Sequence, residues 1–219
     1  MTEENSPTSA VEPAAAPAPS PRKARPQVDV RPVLEKLFQL YPKLFGARFL
    51  PLKLGVFHDL LAAHPDAFNK DGLKAALGTH ARSTRYLEAV ATGAKRHDLA
   101  GEPVEDVAPE HVHHAIMEVF RRRQARSRDD LRPWLRARLV RAIEASGLDR
   151  DAYTERVRPG DAAALAALDE AFAEVAEARA RREAIRRAFE ASGKTLDEFA
   201  DMYGMKIADV QRAVAAAQP

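Results

Sequence analysis

The sequence contains no cysteine, and aromatic residues make up only 6% of its 219 positions. Without a thiol there is no disulfide framework, no cysteine nucleophile and no zinc site built on thiolates. The same absence fits a reducing compartment. Glycine is scarce too, with ten residues in all, so few loops can cradle a phosphate. No Gly-rich phosphate loop, nucleophile elbow or pair of histidines four apart around a glutamate occurs. No apolar run approaches the roughly 18 residues of a spanning helix, and the N-terminus lacks a basic start followed by an apolar stretch. The chain is therefore expected to be soluble and cytoplasmic, to lie outside the membrane, and to act without catalysis and without a nucleotide or metal cofactor.

What is present is charge, and it is unevenly placed. The formal net charge is only +2. Residues 1–28 carry three basic and three acidic side chains, and residues 29–120 carry 11 and 12. Residues 121–141 carry nine arginines against two aspartates, whereas residues 142–219 carry 11 basic side chains against 15 acidic. One short Arg-rich block thus holds the positive charge, a footprint that suits a polyanion or a solvated helix.

Residues 1–28 hold six of the 15 prolines and almost nothing to bury, the composition of a disordered or polyproline-like tail. From Val30 the pattern changes. Val33, Leu34, Leu37 and Leu40 recur at helical spacing, with Pro32 suited to a first turn. Leu54, Phe57, Leu60 and Leu61 form a second apolar stripe. Asn69 is placed to cap a third helix, and Ser83 opens a fourth carrying Tyr86, Leu87 and Val90. Two short extended runs around Ala100-Gly101 read as a β-hairpin, although Ala100 is a poor first residue for the favoured turns. Pro109 and Glu110 open a fifth helix. Leu54, Phe57, Leu77, Leu87 and Leu99 are expected in the core. The fold class expected for residues 29–122 is mostly α with one small β-hairpin.

Two clusters carry candidate chemistry. His111, His113 and His114 are metal-like in type, but no carboxylate or further histidine converges on them, so packing or surface roles are favoured. Lys70, Lys74, Arg82, Arg85 and Arg96 are basic residues with Tyr86 among them. Positive groups beside an aromatic are what phosphate and sugar or base contact require; a solvated face would look the same.

The region contains PLKLGVF at 51–57, LKAALGTHARSTRYL at 73–87, GAKRHDLAGEP at 93–103 and EHVHHA at 110–115. In order and in register over residues 30–122, these motifs resemble the ProQ/FinO family of bacterial RNA-binding proteins. The resemblance implies a small domain of helices with a β-hairpin. It also implies an RNA chaperone that binds structured small RNAs and messenger 3′ regions, favouring a terminator-type hairpin with a short single-stranded tail. Carried over by position, Lys53 falls on the basic residue of the PLK block and Lys74 on a position usually Arg, while Arg85, Tyr86 and Arg96 match identically. Lys74, Arg85 and Arg96 are then expected on phosphates, with Tyr86 shaping a pocket for the RNA end. Gly78 and Thr79 stand where relatives often have Arg and Tyr, and Thr84 replaces a frequent aromatic. Arg82 is a candidate to supply the charge missing at Gly78.

Beyond the resemblance, residues 123–141 read as an Arg-rich helical connector in which Arg121, just before it, and Arg128 can extend an RNA path. Trp134 reads as a core anchor. Residues 142–219 are expected to be an α-helical extension. RAIEASG at 141–147 recurs as RAFEASG at 187–193, with Tyr153 matched by Phe199. Duplication of a helical unit and chance in an Ala-rich sequence both account for this. Ala200, Gly204 and Val210 have helix-turn-helix spacing. This offers an alternative function, a helical interaction protein or DNA-binding regulator working through residues 142–219.

Overall fold

A computed structural model describes residues 29–215. The expected Pro/Ala-rich tail at 1–28 lies outside the described residues. Helix α1 (Arg31–Leu40) carries proline in its first turn and ends at Tyr41, after which α2 (Pro42–Phe45) makes one further turn. Helix α3 (Val56–Ala63) follows Gly55, whose φ of +83° is the left-handed conformation that glycine adopts at no steric cost. Helix α4 (Lys70–Ala81) is capped by Asn69, whose side chain accepts from the Gly72 N–H at 2.6 Å. Helix α5 (Thr84–Val90) is capped likewise by Ser83 at 3.2 Å. Both caps satisfy N–H groups that a helix leaves without an internal partner.

Strands β1 (Arg96–His97) and β2 (Pro103–Glu105) form the antiparallel hairpin. Its turn is longer than a two-residue one because Asp98 organises it. The Asp98 carboxylate accepts from the Ala100 and Glu102 N–H groups at 2.9 and 3.0 Å, and Gly101 takes φ +83°. Ala100 therefore never needs the conformation it disfavours. On the other side of β1, His97 pairs with the extended segment at 51–53, donating to Pro51 O at 2.7 Å and accepting from the Lys53 N–H at 2.9 Å. This pairing corrects one expectation. Leu54 is 62% exposed rather than core, because it lies in the turn at 54–55 between the extended segment and the helix, which starts only at Val56. Leu87 is buried, while Phe57, Leu77 and Leu99 pack partly buried against the core.

Helix α6 (Pro109–Gln124) leads to α7 (Arg132–Ser146), α8 (Arg150–Val157), the long α9 (Ala162–Ser192), α10 (Leu196–Tyr203) and α11 (Ile207–Ala215). The segment at 123–141 is not only a connector. Leu135, Leu139 and Ile143 recur at i, i+4 and i+8 along α7 and are buried in the core that begins at Leu37. That core continues through Tyr153 and Leu168 to Val175. A second, smaller core gathers Phe199, Ala200 and Val210 with Ile185 and Phe189.

The two similar heptapeptides end helices in the same way. Gly147 and Gly193, 46 residues apart, both terminate a helix at φ +64° and +61°. Asp149 and Thr195 then cap eight-residue helices at 150–157 and 196–203. The aromatic anchors Tyr153 and Phe199 are both fully buried. Arg158 and Gly204 end these short helices in the left-handed region. Sequence echo and backbone echo share one register, which favours duplication of a helical unit over chance.

Candidate nucleic-acid interface

The expected site residues separate by environment into those that hold the fold and those that face solvent. Arg96 belongs to the first group. It is 9% exposed, donates from Nη1 to the Leu52 carbonyl at 2.9 Å, and places Nη2 3.2 Å from His111 Nδ1. Glu105 lies 4.0 Å from its Nε. A guanidinium so surrounded fixes the 51–53 segment against the hairpin. Tyr86 is also buried, and its hydroxyl accepts from the Leu52 N–H at 3.1 Å. Tyr86 and Arg96 thus hold the two backbone groups of one residue, Leu52. Neither is an exposed surface on which an RNA end can stack.

Lys53 is half-exposed and pairs with Asp59 at 3.0 Å. The hydrogen bond and charge of Asp59 hold its ammonium above the ordinary lysine value, with Asp98 and Glu105 adding to the effect. Its surroundings are acidic, with Asp59, Asp98 and Glu105 nearby.

The second group lies on α4, α5 and α6. Lys74, Gly78 and Arg82 follow at i, i+4 and i+8 and share one helical face. The Arg82 guanidinium lies over Gly78, with Nη1 3.2 Å from where a β-carbon would sit. Arg82 in this way brings a guanidinium to the helical face where Gly78 itself has no side chain. Arg85 is exposed, rests over the Phe49 ring at 4.8 Å and donates to the Ala47 carbonyl at 2.7 Å. One guanidinium edge and the face over the ring are occupied there, which fixes the orientation of an otherwise exposed charge.

Sequence reasoning missed Arg122, which ties these elements together. From the last turn of α6 it donates to the Arg82 carbonyl at 2.9 Å and to the Thr84 hydroxyl at 3.0 Å. Thr84 is thus an acceptor for this arginine. Arg121 and Arg122 both pair with Glu118. Burial pushes the Glu118 carboxyl up, but hydrogen bonds from the two arginines outweigh it and hold the carboxyl below its ordinary range. Spacing from Glu118 at i+3 and i+4 is the signal that separates Arg121 and Arg122 from the rest of the run. Arg126 and Arg128 are exposed beyond the helix end. Lys74, Arg82, Arg126 and Arg128 have no acidic partner within 4 Å among the described residues. The α4–α5 turn and the Arg-rich end of α6 thus form one basic corner, with the shallow cavity of about 330 Å³ between Thr84, Arg122 and Arg126 in it.

The three histidines of the metal-like group point to different places. His111 meets Arg96, His113 is buried against Tyr153 at 5.9 Å between ring centres, and His114 is exposed. Burial pulls His113 down to about 4, with His114 adding to the effect, so it is a neutral core residue at ordinary pH. His80 is likewise pulled down to about 4 by burial among Phe45, Phe49 and Tyr86. At the other end, α10 and α11 are joined through Gly204 with Val210 buried, and Arg212 pairs with Asp209 on its own helix.

Comparisons with known proteins point to one family. Residues 28–132 match the family model described as ProQ/FINO family. A protein of Shewanella frigidimarina named RNA chaperone ProQ is 38% identical over 93 residues, 41% of this chain and 46% of the relative. One of the same name from Idiomarina loihiensis is 40% identical over 87 residues, 38% of this chain and 42% of the relative. The chain therefore matches less than half the length of these curated relatives. A crystal structure of a FinO-like RNA chaperone from Neisseria meningitidis is 34% identical, with a TM-score of 0.36, over 39% of this chain and 88% of that one.

Proposed function

The chain belongs to the ProQ/FinO family through residues 28–132, and from that premise we propose that it is an RNA chaperone. It binds structured small RNAs and messenger 3′ regions, recognises a terminator-type hairpin followed by a 3′ tail, protects that end, and promotes pairing between RNAs. The observation that carries this reading is the basic corner where Lys74, Arg82 and Arg85 meet the Arg-rich end of α6 across the Arg122 hydrogen bonds. An A-form stem presents phosphates and shape rather than base edges, so exposed guanidinium and ammonium groups on rigid helices are the chemistry it needs. Lys74, Arg82, Arg85, Arg121 and Arg128 are proposed as phosphate contacts. Tyr86 and Arg96 are proposed as positioning residues that hold the 51–53 segment through Leu52, with Lys53 as the basic residue which that segment presents. The work is binding, without a chemical step or a cofactor. The cytoplasm is the compartment in which its RNA partners would be met.

The test uses the full chain, because the core continues from the family domain into α7, α8 and the first half of α9. Binding is measured across a salt series to a terminator hairpin with a free 3′ tail, a 3′-blocked copy, and a DNA hairpin of the same sequence. Preference for the free-ended RNA is expected. Each lost phosphate contact should lower the log–log salt slope by about 0.9 on duplex. Lys74→Ala and Arg82→Ala are expected to weaken binding with unchanged thermal stability. Arg96→Ala is expected to lower both, because it leaves the Leu52 carbonyl without its buried donor. Equal affinity for all three nucleic acids would remove the 3′-end reading, and no binding at all would remove the RNA reading.

A further inference from the structure

A cleft of about 590 Å³ lies where the end of α5 and the start of α6 meet helices α7 and α8. It is bounded on one side by the family domain and on the other by the helical extension. Three arginines line it: Arg138 and Arg141 from α7 and Arg156 from α8. None of the three has a carboxylate within 4 Å among the described residues. The single acid in the lining, Asp106, is faced by Lys95 at 3.8 Å. The lining also carries apolar surface from Val107, Val112 and Leu148, while the Thr92 hydroxyl is held by the Ala89 carbonyl and the Ala94 N–H. Like charges gathered without counter-charge repel one another, and an anion placed among them relieves that repulsion. A cavity with guanidinium groups at the wall and apolar surface beneath suits a phosphodiester with its attached sugar and base.

The cleft is also joined to the basic corner. Trp134, Arg138 and Arg141 follow at i, i+4 and i+7 on α7. The Trp134 ring carries Arg123 at 5.1 Å and Arg138 at 5.6 Å. Arg123, paired with Glu88 at 2.6 Å, lines the cavity at the α6 end and Arg138 lines the cleft, so the Trp134 ring contacts one arginine from each place. Along α6 the two sites are separated by the distance from Val112 to Arg122, about 15 Å at 1.5 Å per residue, a span of a few nucleotides.

We propose that this cleft is a second RNA site, outside the family domain's own basic corner, in which Arg138, Arg141 and Arg156 hold the backbone of a single-stranded segment flanking the bound hairpin. The proposal rests on the RNA-binding reading above and assigns to α7 and α8 a direct part in it.

The experiment compares the full-length chain with its Arg141→Gln/Arg156→Gln double variant. Each is titrated against a terminator hairpin with a short tail and against the same hairpin with a lengthened single strand, across a salt series. The wild type is expected to gain affinity from the added strand. The double variant is expected to lose that gain, to bind the long RNA about tenfold more weakly, and to show a log–log salt slope smaller by about 1.4, two contacts at about 0.7 each on single strands. Thermal unfolding controls for the fold. In an otherwise unaltered chain, a photo-crosslinker at the exposed Ala145 should capture the long RNA. Wild-type binding with an unchanged salt slope in the double variant, or no crosslink at Ala145 beside a positive one at Ala81, would overturn the second site while leaving the first standing. Absence of any RNA binding by the wild type would remove both. Affinity for an acidic polypeptide in place of RNA would overturn the proposal as well.

Discussion

The two helical units of the C-terminal half follow one local pattern, yet they are held by different surroundings. In each, a left-handed glycine ends a helix, a polar residue caps an eight-residue helix, and a buried aromatic anchors it. The first unit, built from α7, α8 and the start of α9, shares the core of the family domain. The second, built from the end of α9, α10 and α11, has only its own small core. The difference lies in a few side chains. Leu135, Leu139 and Ile143 of α7 are matched 46 residues later by Arg181, Ile185 and Phe189. One apolar position became charged, and between Val175 and Ile185 the long helix has no buried residue. Local capping signals therefore decide the shape of each unit, and the width of the apolar stripe decides whether it joins a larger core.

The sharpest way to break this comparison is to remove both anchors in turn. Tyr153→Ala deletes a ring packed against His113 and Phe172, at 5.9 and 5.7 Å between ring centres. It should cost about 3–5 kcal/mol, the range for large aromatic truncations, and the loss should be felt across the shared core. Phe199→Ala removes a ring packed against Phe189 and Tyr203, and the loss should stay local. Trp134, the single tryptophan, lies in α7 and reports on the first unit. Its fluorescence midpoint in denaturant is expected to fall in Tyr153→Ala and to hold in Phe199→Ala, while far-ultraviolet circular dichroism shows early loss of helix in the latter. Equal shifts of the tryptophan transition would mean that the two units unfold as one.

Acid should separate the units next. His80 and His113 have native values of about 4, below the ordinary 6.5, because burial disfavours their charged forms. A depressed histidine value means that the unfolded chain binds more protons between those limits. The native advantage is complete above pH 6.5 and is lost progressively as pH falls to about 4, roughly 3 kcal/mol for each histidine. All seven histidines precede residue 142, so the second unit lacks this source of acid sensitivity. The tryptophan-reported stability should therefore decline between pH 6.5 and 4. An unchanged denaturant midpoint across that window would contradict burial of the two rings.

A smaller effect exchanges the anchors. The Tyr153 hydroxyl is buried without a hydrogen-bond partner, as is His113 Nδ1 nearby, whereas the second unit uses phenylalanine at the matching position. Tyr153→Phe should thus be tolerated and should raise stability by about 1 kcal/mol, the low end of the cost of an unsatisfied buried polar group. Destabilisation in urea would show that the hydroxyl has a partner in solution.

Much of this architecture was legible in the sequence, for local reasons. Asn69, Ser83 and Pro109 mark helix starts by chemistry that acts within three residues. Gly147 and Gly193 similarly mark helix ends. The candidate site was legible as a set of basic residues but not in the division of labour among them. Arg96 reaches a carbonyl 44 residues before it and a histidine 15 residues after it, and nothing in its neighbourhood announces burial. Leu54 misled because its spacing from Phe57 is helical, while Gly55 stands between them and the helix begins only at Val56. In α7 the density of arginine obscured an apolar stripe at i, i+4 and i+8 that runs from Leu135 to Ile143.

The smallest expected effect bears on how the duplicated pattern diverged. Arg158 is the sole non-glycine residue with positive φ among the described residues, at +47°, and its counterpart is Gly204 at +60°. A side chain in this conformation costs about 1–2 kcal/mol, since its β-carbon crowds the following carbonyl. Glycine removes that crowding but has more freedom to lose on folding, roughly 0.5–1 kcal/mol. Arg158→Gly should then raise stability by about 0.5 kcal/mol, read as a small upward shift of the tryptophan-reported midpoint in urea. The converse substitution, Gly204→Arg, should lower helix content in the second unit by a similar energy and leave the tryptophan transition where it is. Arg158 lies on the rim of the cavity between α6 and the α8–α9 loop, where its charge reaches solvent. If Arg158→Gly destabilises the chain instead, the arginine side chain makes contacts worth more than the strain it imposes, and the left-handed position in the first unit is held by the shared core rather than by its own backbone preference.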